Sequence, residues 1–207
     1  LLEQHNPGQA RSLPSAVAFL DQLMTREAIA RDKTAWVEKT PAHLFYIPWI
    51  QRYIPSARFV HVMRDGRDVV ASLVDAARQF PNARAWKGCA DLNTAIAEYN
   101  RYFRESMKYW GDERHIFVQY EHILMEHYIV CRQLYVQLGL GQQNCSVDLA
   151  AIHTKVVRTD EAWKGVANGA IRDTRLEKFN RIFDDGEKEL INHSVRSPNA
   201  KEKTRFI

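Results

Sequence analysis

Apolar residues recur at helical spacing over residues 14 to 31 (PSAVAFLDQLMTREAIAR), where Val17, Phe19, Leu20, Leu23 and Met24 form a stripe and Ser15 stands ready to cap the first turn. TAWVEKTP then reads as a short strand entering a loop at Pro41. HLFYIPWIQRYI reads as an amphipathic helix interrupted near Pro48 and ending before Pro55. The pattern changes at ARFVHVMRD, where Phe59, Val60, Val62 and Met63 make the nearly continuous apolar run expected of a parallel strand covered on both faces. Residues 66 to 79 return to helical spacing, so 57 to 79 predict strand, tight turn and helix. A strong helix over 90 to 109, a second buried strand in HIFVQY and a helix through about Leu138 follow. Residues 139 to 175 are polar and loop-rich, with Gly139, Gly141, Gly165 and Gly169, and LEKFNRIFDDGEKELINH predicts one more helix before a charged end.

Strands alternating with helices of this length indicate an α/β fold built from βαβ units around a parallel sheet, with right-handed connections. The chain has 207 residues, 45% hydrophobic and 26% charged, which excludes disordered, collagenous and disulfide-dense classes and leaves ample material for a core. Its formal charge of +4 is a mild bias toward anionic ligands and does not argue for nucleic acid. Cys89, Cys131 and Cys145 are odd in number and lack CxxC spacing, which disfavours a disulfide framework or a zinc site and fits a reducing, cytoplasmic compartment. No run approaches the roughly 18 apolar residues that would span a bilayer. The eight histidines show no metal-ligand spacing: His122 and His127 are five apart, and His115 begins a strand.

Ligands of an open parallel sheet bind beyond the carboxyl ends of its strands. Two basic segments meet that requirement. One is Val37 to Pro41, which brings Lys39 to a strand end. The other is the run from Arg64 to Ser72, where a strand ends in Arg64, Gly66 permits a tight turn and a helix begins. A helix N-terminus beside an arginine is an anion site by geometry, and Ser72 lies within two turns of it. By itself RDGRD reads more readily as a solvated turn holding internal ion pairs than as a ligand site.

VEKTPAH, followed by PSARFVHVMRDGRDVVASL and later by VQYEHIL, resembles the sulfotransferases that use 3′-phosphoadenosine 5′-phosphosulfate (PAPS), particularly bacterial and tyrosylprotein-type members, over residues 37 to 175. The resemblance implies a P-loop-NTPase-like three-layer α/β fold with a central parallel sheet flanked by helices. It implies sulfuryl transfer from PAPS to a hydroxyl acceptor, a small molecule or a peptide tyrosine, with adenosine 3′,5′-bisphosphate as product and no metal. Arg64 and Ser72, eight apart, match the family's binding site for the 3′-phosphate. Lys39 matches the lysine beside the transferred group and Tyr120 a tyrosine near the adenine, although a buried tyrosine at a strand end is an equal reading of Tyr120. RTDEAWKGVANGAIRD resembles a late cofactor loop and would bring Thr159 and Lys164 to the phosphates.

The sequence departs from the family in two places. Where cytosolic members carry a histidine base, two residues after the lysine, it has Pro41, which cannot accept a proton. Glu38 and His43 are nearby candidates, and a base upstream of Leu1 is the other option. No phosphate loop of the KSGTT type occurs, so residues 1 to 207 are expected to be a single sulfotransferase domain whose first strand and phosphate loop precede Leu1. Two other classes stay open: a non-catalytic nucleotide-binding homologue, and another nucleotide-dependent phosphotransferase, for which no Walker-type lysine is present. Trp86 and Phe80 fit either core packing or an acceptor pocket.

Overall fold

The computed structural model describes residues 12–141, 174–198 and 206–207, and the chain divides into two compact units, Leu1–Phe59 and Val60–Ile207. In the first, helix α1 spans Leu13–Ile29. Its cap is Ser12, one turn before the expected Ser15: the two serines form a reciprocal capping box, with Pro14 in the first turn, where a missing N–H costs nothing. The strand expected over residues 34 to 41 is not formed among the described residues; the segment is irregular and Val37 is 85% exposed. An apolar alternation stays a strand only if a neighbour takes up its backbone groups. A 3-10 turn, Pro41–Tyr46, then runs into helix α2, Ile47–Tyr53, with Pro48 in the first turn of α2, so this proline starts a helix rather than interrupting one.

In the second unit, β1 (Phe59–Met63) and β2 (His115–Gln119) are adjacent and parallel. β2 is buried on both faces, as its apolar run predicts. β1 alternates instead, His61 buried and Val60 and Val62 exposed, because alternate strand residues face opposite ways and, among the described residues, only one face of β1 is covered. A backbone rung continues the pairing beyond β2: the Ile207 N–H donates to the Phe117 carbonyl at 3.0 Å and the Gln119 N–H donates to the Ile207 carbonyl at 3.1 Å.

Helix α3 (Gly66–Gln79) leaves β1 where the sequence places it and packs against α4 (Leu92–Met107), α6 (Glu177–Ile182) and α7 (Asp185–Ser194). Val70, Val74 and Ala77 fall three or four apart, so they share a face, and they meet Ile96, Phe103, Phe179, Phe183 and Ile191 in the main core. Helices α6 and α7 were expected as one. Phe183 is extended between them, and Asp184 opens α7 with a capping box to Glu187, which ends one helix and starts the next while keeping both Phe179 and Phe183 buried. Helix α5 (Tyr120–Gln137) follows β2 directly, bends at Glu126, and closes a smaller core of Ile116, Val118, Val130 and Ile207. Trp86 packs on the main core, and its ring lies 6.0 Å from that of Phe80. Cys89 is a buried free thiol, and Cys145 lies outside the described residues. No described helix is long and apolar enough to cross a membrane.

Candidate active site

The junction between β1 and α3 holds a network of charged side chains. Asp65 caps α3, its Oδ1 accepting the Arg67 N–H at 2.9 Å, and the Arg67 side chain forks back onto the same carboxylate, Nη2 to Oδ2 at 2.6 Å and Nε to Oδ1 at 3.0 Å. Burial alone would raise the Asp65 pKa; the hydrogen bonds and charge of Arg67, with a contribution from Arg64, outweigh it and hold the carboxyl below its ordinary value. From α5, Glu121 Oε1 accepts the Asp65 N–H at 2.9 Å. Carboxylates therefore already occupy two of the backbone donors at this helix start.

The junction also carries Arg64. Its guanidinium carbon lies 4.8 Å from the centre of the Tyr120 ring, and its Nη2 is 3.5 Å from Asp68 Oδ2. Its Nε is buried and has no hydrogen-bond partner among the described residues. The two arginines of RDGRD are thus distinguished by their neighbours: Arg67 is spent on Asp65, whereas Arg64 retains a donor. The internal ion pairs of a solvated turn do exist, and they leave the Arg64 Nε without a hydrogen-bond partner among the described residues.

Asp68 is 1% exposed; its Oδ1 accepts the Leu176 N–H at 2.9 Å, where the chain turns through a left-handed φ of 60° into α6. Asp65, Asp68 and Ser72 are spaced i, i+3, i+7, so Ser72 lies on the same face of α3, one turn beyond the carboxylate that meets Arg64, and is half-buried. Tyr120 is not a strand-end residue but the first residue of α5. Arg64 and Tyr120 therefore meet at this junction, and Ser72 follows on α3 one turn beyond Asp68. Gly66 is needed for a different reason than a turn: a Cβ there would lie 2.6 Å from Cε1 of Tyr99. Neither Glu121 nor Asp68 was singled out in the sequence. The acidic residue directly after Tyr120 and the second Asp of RDGRD are the only signals they leave.

Lys39 belongs to the first unit and is exposed on the segment leading to Pro41. Around it, Glu38 makes two short hydrogen bonds: Thr40 Oγ1 donates to Oε1 at 2.6 Å, and His43 Nδ1 lies 2.6 Å from Oε2. Thr159 and Lys164 lie outside the described residues.

A histidine pair that sequence spacing did not suggest joins the two strands. His61 Nε2 and His115 Nδ1 are 2.9 Å apart and buried, with His61 stacked 4.5 Å from Phe117 and His115 stacked 4.5 Å from Tyr109. Burial, with a smaller effect of His115, pulls the His61 pKa down to about 4, and burial lowers His115 as well. Among the described residues no group of three or more His, Cys, Asp or Glu could hold a metal ion.

Residues 3–144 match the family model described as "Sulfotransferase family". No curated protein and no solved structure gives a match. A match over more than half of the chain, embracing both the Lys39 segment and the Arg64 junction, establishes that the chain belongs to the sulfotransferase family.

Proposed function

We propose that this sulfotransferase takes its sulfuryl group from PAPS and passes it to a hydroxyl acceptor, a small molecule or a peptide tyrosine, by in-line displacement at sulfur. The carrying observation is the buried Arg64 Nε, a cationic donor without a hydrogen-bond partner among the described residues, on a guanidinium that lies over the face of Tyr120. A guanidinium with a spare donor suits a phosphate monoester, and leaving such a donor unanswered is costly enough to discriminate between nucleotides. In this reading Arg64 and Ser72 bind the 3′-phosphate of the donor. Tyr120, one face of which lies against the guanidinium, presents its remaining face or edge to the purine.

Lys39 would stand at the oxygen that bridges sulfur and the 5′-phosphate, where negative charge builds as the bond breaks; one such preorganised cation is typically worth roughly 3 kcal/mol, about a hundredfold in rate. Thr159 and Lys164 complete the phosphate contacts, and a P-loop-like three-layer arrangement of the wider sheet goes with the same assignment. Calorimetry with adenosine 3′,5′-bisphosphate, AMP and ADP tests the proposal. It predicts a preference for the bisphosphate that Arg64→Ala abolishes, and equal binding of AMP would refute it.

A further inference from the structure

Glu38, Thr40 and His43 form a closed hydrogen-bonded set on either side of Lys39. The backbone creates it: Pro41 starts the 3-10 turn, the His43 N–H donates to the Thr40 carbonyl at 2.9 Å, and the turn swings the imidazole back over Glu38. Both carboxylate oxygens are engaged, Oε1 by the Thr40 hydroxyl and Oε2 by the ring, each at 2.6 Å. An ionised carboxylate only accepts, so Nδ1 carries a proton, and in the neutral ring Nε2 then keeps its lone pair. The His43 side chain is 47% exposed, which leaves that lone pair within reach of an incoming hydroxyl.

We propose, resting on the sulfotransfer reading above, that His43 Nε2 is the general base of the reaction and that Glu38 is its positioning residue, fixing the tautomer and stabilising the imidazolium that forms. The arrangement supplies what Pro41 cannot. As the acceptor oxygen bonds to sulfur, its proton moves to Nε2. The bond from sulfur to the bridging oxygen breaks, and its electron pair stays with the 5′-phosphate. His43 ends the step protonated on both nitrogens, held through Nδ1–H by Glu38, and returns the extra proton to water. Thr40 keeps Glu38 from turning away. The competing reading makes the same three residues a brace for the turn, with no part in proton transfer.

Two measurements separate these. The first needs no turnover: long-range nitrogen–proton NMR of the His43 ring, with and without adenosine 3′,5′-bisphosphate, is expected to show the Nδ1–H tautomer, shifting toward Nε2–H in Glu38→Gln. The second follows bisphosphate release from PAPS with phenol as acceptor. His43→Ala is expected to lower kcat by about 10² to 10⁴ while calorimetric affinity for the bisphosphate stays within about twofold, and added imidazole restores part of the rate. Glu38→Gln is expected to lower kcat by about tenfold with KM unchanged. An Nε2–H tautomer in the parent protein, near-parental turnover in His43→Ala, or a lost rate that imidazole leaves untouched each overturns the base assignment, as does a parent protein that binds the bisphosphate yet does not accelerate its release. Failure to prefer the bisphosphate over AMP overturns instead the donor reading on which the assignment rests.

Discussion

The ring of Tyr99 occupies the space where a side chain at Gly66 would begin. A Cβ on Gly66 would lie 2.6 Å from Cε1 and 2.7 Å from Cζ of that ring, and the ring is not free to retreat, because Tyr99 Oη donates to the Arg196 carbonyl at 2.8 Å. Burial raises the Tyr99 pKa, so the phenol stays protonated and keeps that donation. Gly66→Ala is therefore expected to cost about 1–3 kcal/mol by overpacking the first turn of α3. Replacing Tyr99 by Leu in the same chain should recover part of that loss. Chemical denaturation of the two single variants and the double variant checks this: strictly additive losses would show that the ring is not the obstacle.

Glu121 ties the start of α5 to the start of α3 through one backbone donor, the Asp65 N–H. Its other oxygen, Oε2, is buried without a hydrogen-bond partner among the described residues. Glu121→Ala strands the Asp65 N–H and is expected to lose about 1–3 kcal/mol of stability. Glu121→Gln keeps an acceptor and should lose less than half as much. Urea unfolding of both variants decides the point, and equal losses would mean that the charge, not the acceptance, is what the junction uses.

The His61 and His115 pair makes stability depend on pH in a calculable direction. His61 titrates near 4 when folded and near 6.5 when unfolded, so between those values the unfolded chain binds more protons. Stability is then complete above about pH 6.5 and declines as pH falls toward 4, by on the order of 3 kcal/mol from His61, and the lowered pKa of His115 acts in the same direction. Melting temperatures at pH 4.5, 5.5 and 7 test this. The slope should flatten in His61→Phe, and an unchanged slope would place the acid sensitivity elsewhere.

What was legible in the sequence was local. Periodicity places α3 at Gly66–Gln79 and both strands, and it puts Arg64 where β1 gives way to α3. What was missed depends on contacts across the chain. Glu121 reaches Asp65 over 56 positions and Asp68 reaches Leu176 over 108, and neither separation leaves a periodic trace. Gly66 looks like a turn glycine until Tyr99, 33 positions on, is folded against it. The strand expected around Val37 fails for the converse reason: an apolar alternation is local, but a strand also needs a neighbour. Glu38 and His43 could be named as candidates from proximity alone, whereas their hydrogen bond required the 3-10 turn after Pro41.

Asp68 serves two masters. One oxygen faces Arg64, the residue proposed to hold the phosphate, and the other secures the left-handed turn at Leu176 that admits α6 and α7 to the main core. A left-handed leucine costs roughly 1–2 kcal/mol and persists only while something holds it. The ligand-facing arginine and the closure of the helical layer are thus underwritten by a single carboxylate. Affinity at this junction cannot be engineered through Asp68 without also renegotiating how the fold is sealed, and this couples two properties that most surface sites keep apart.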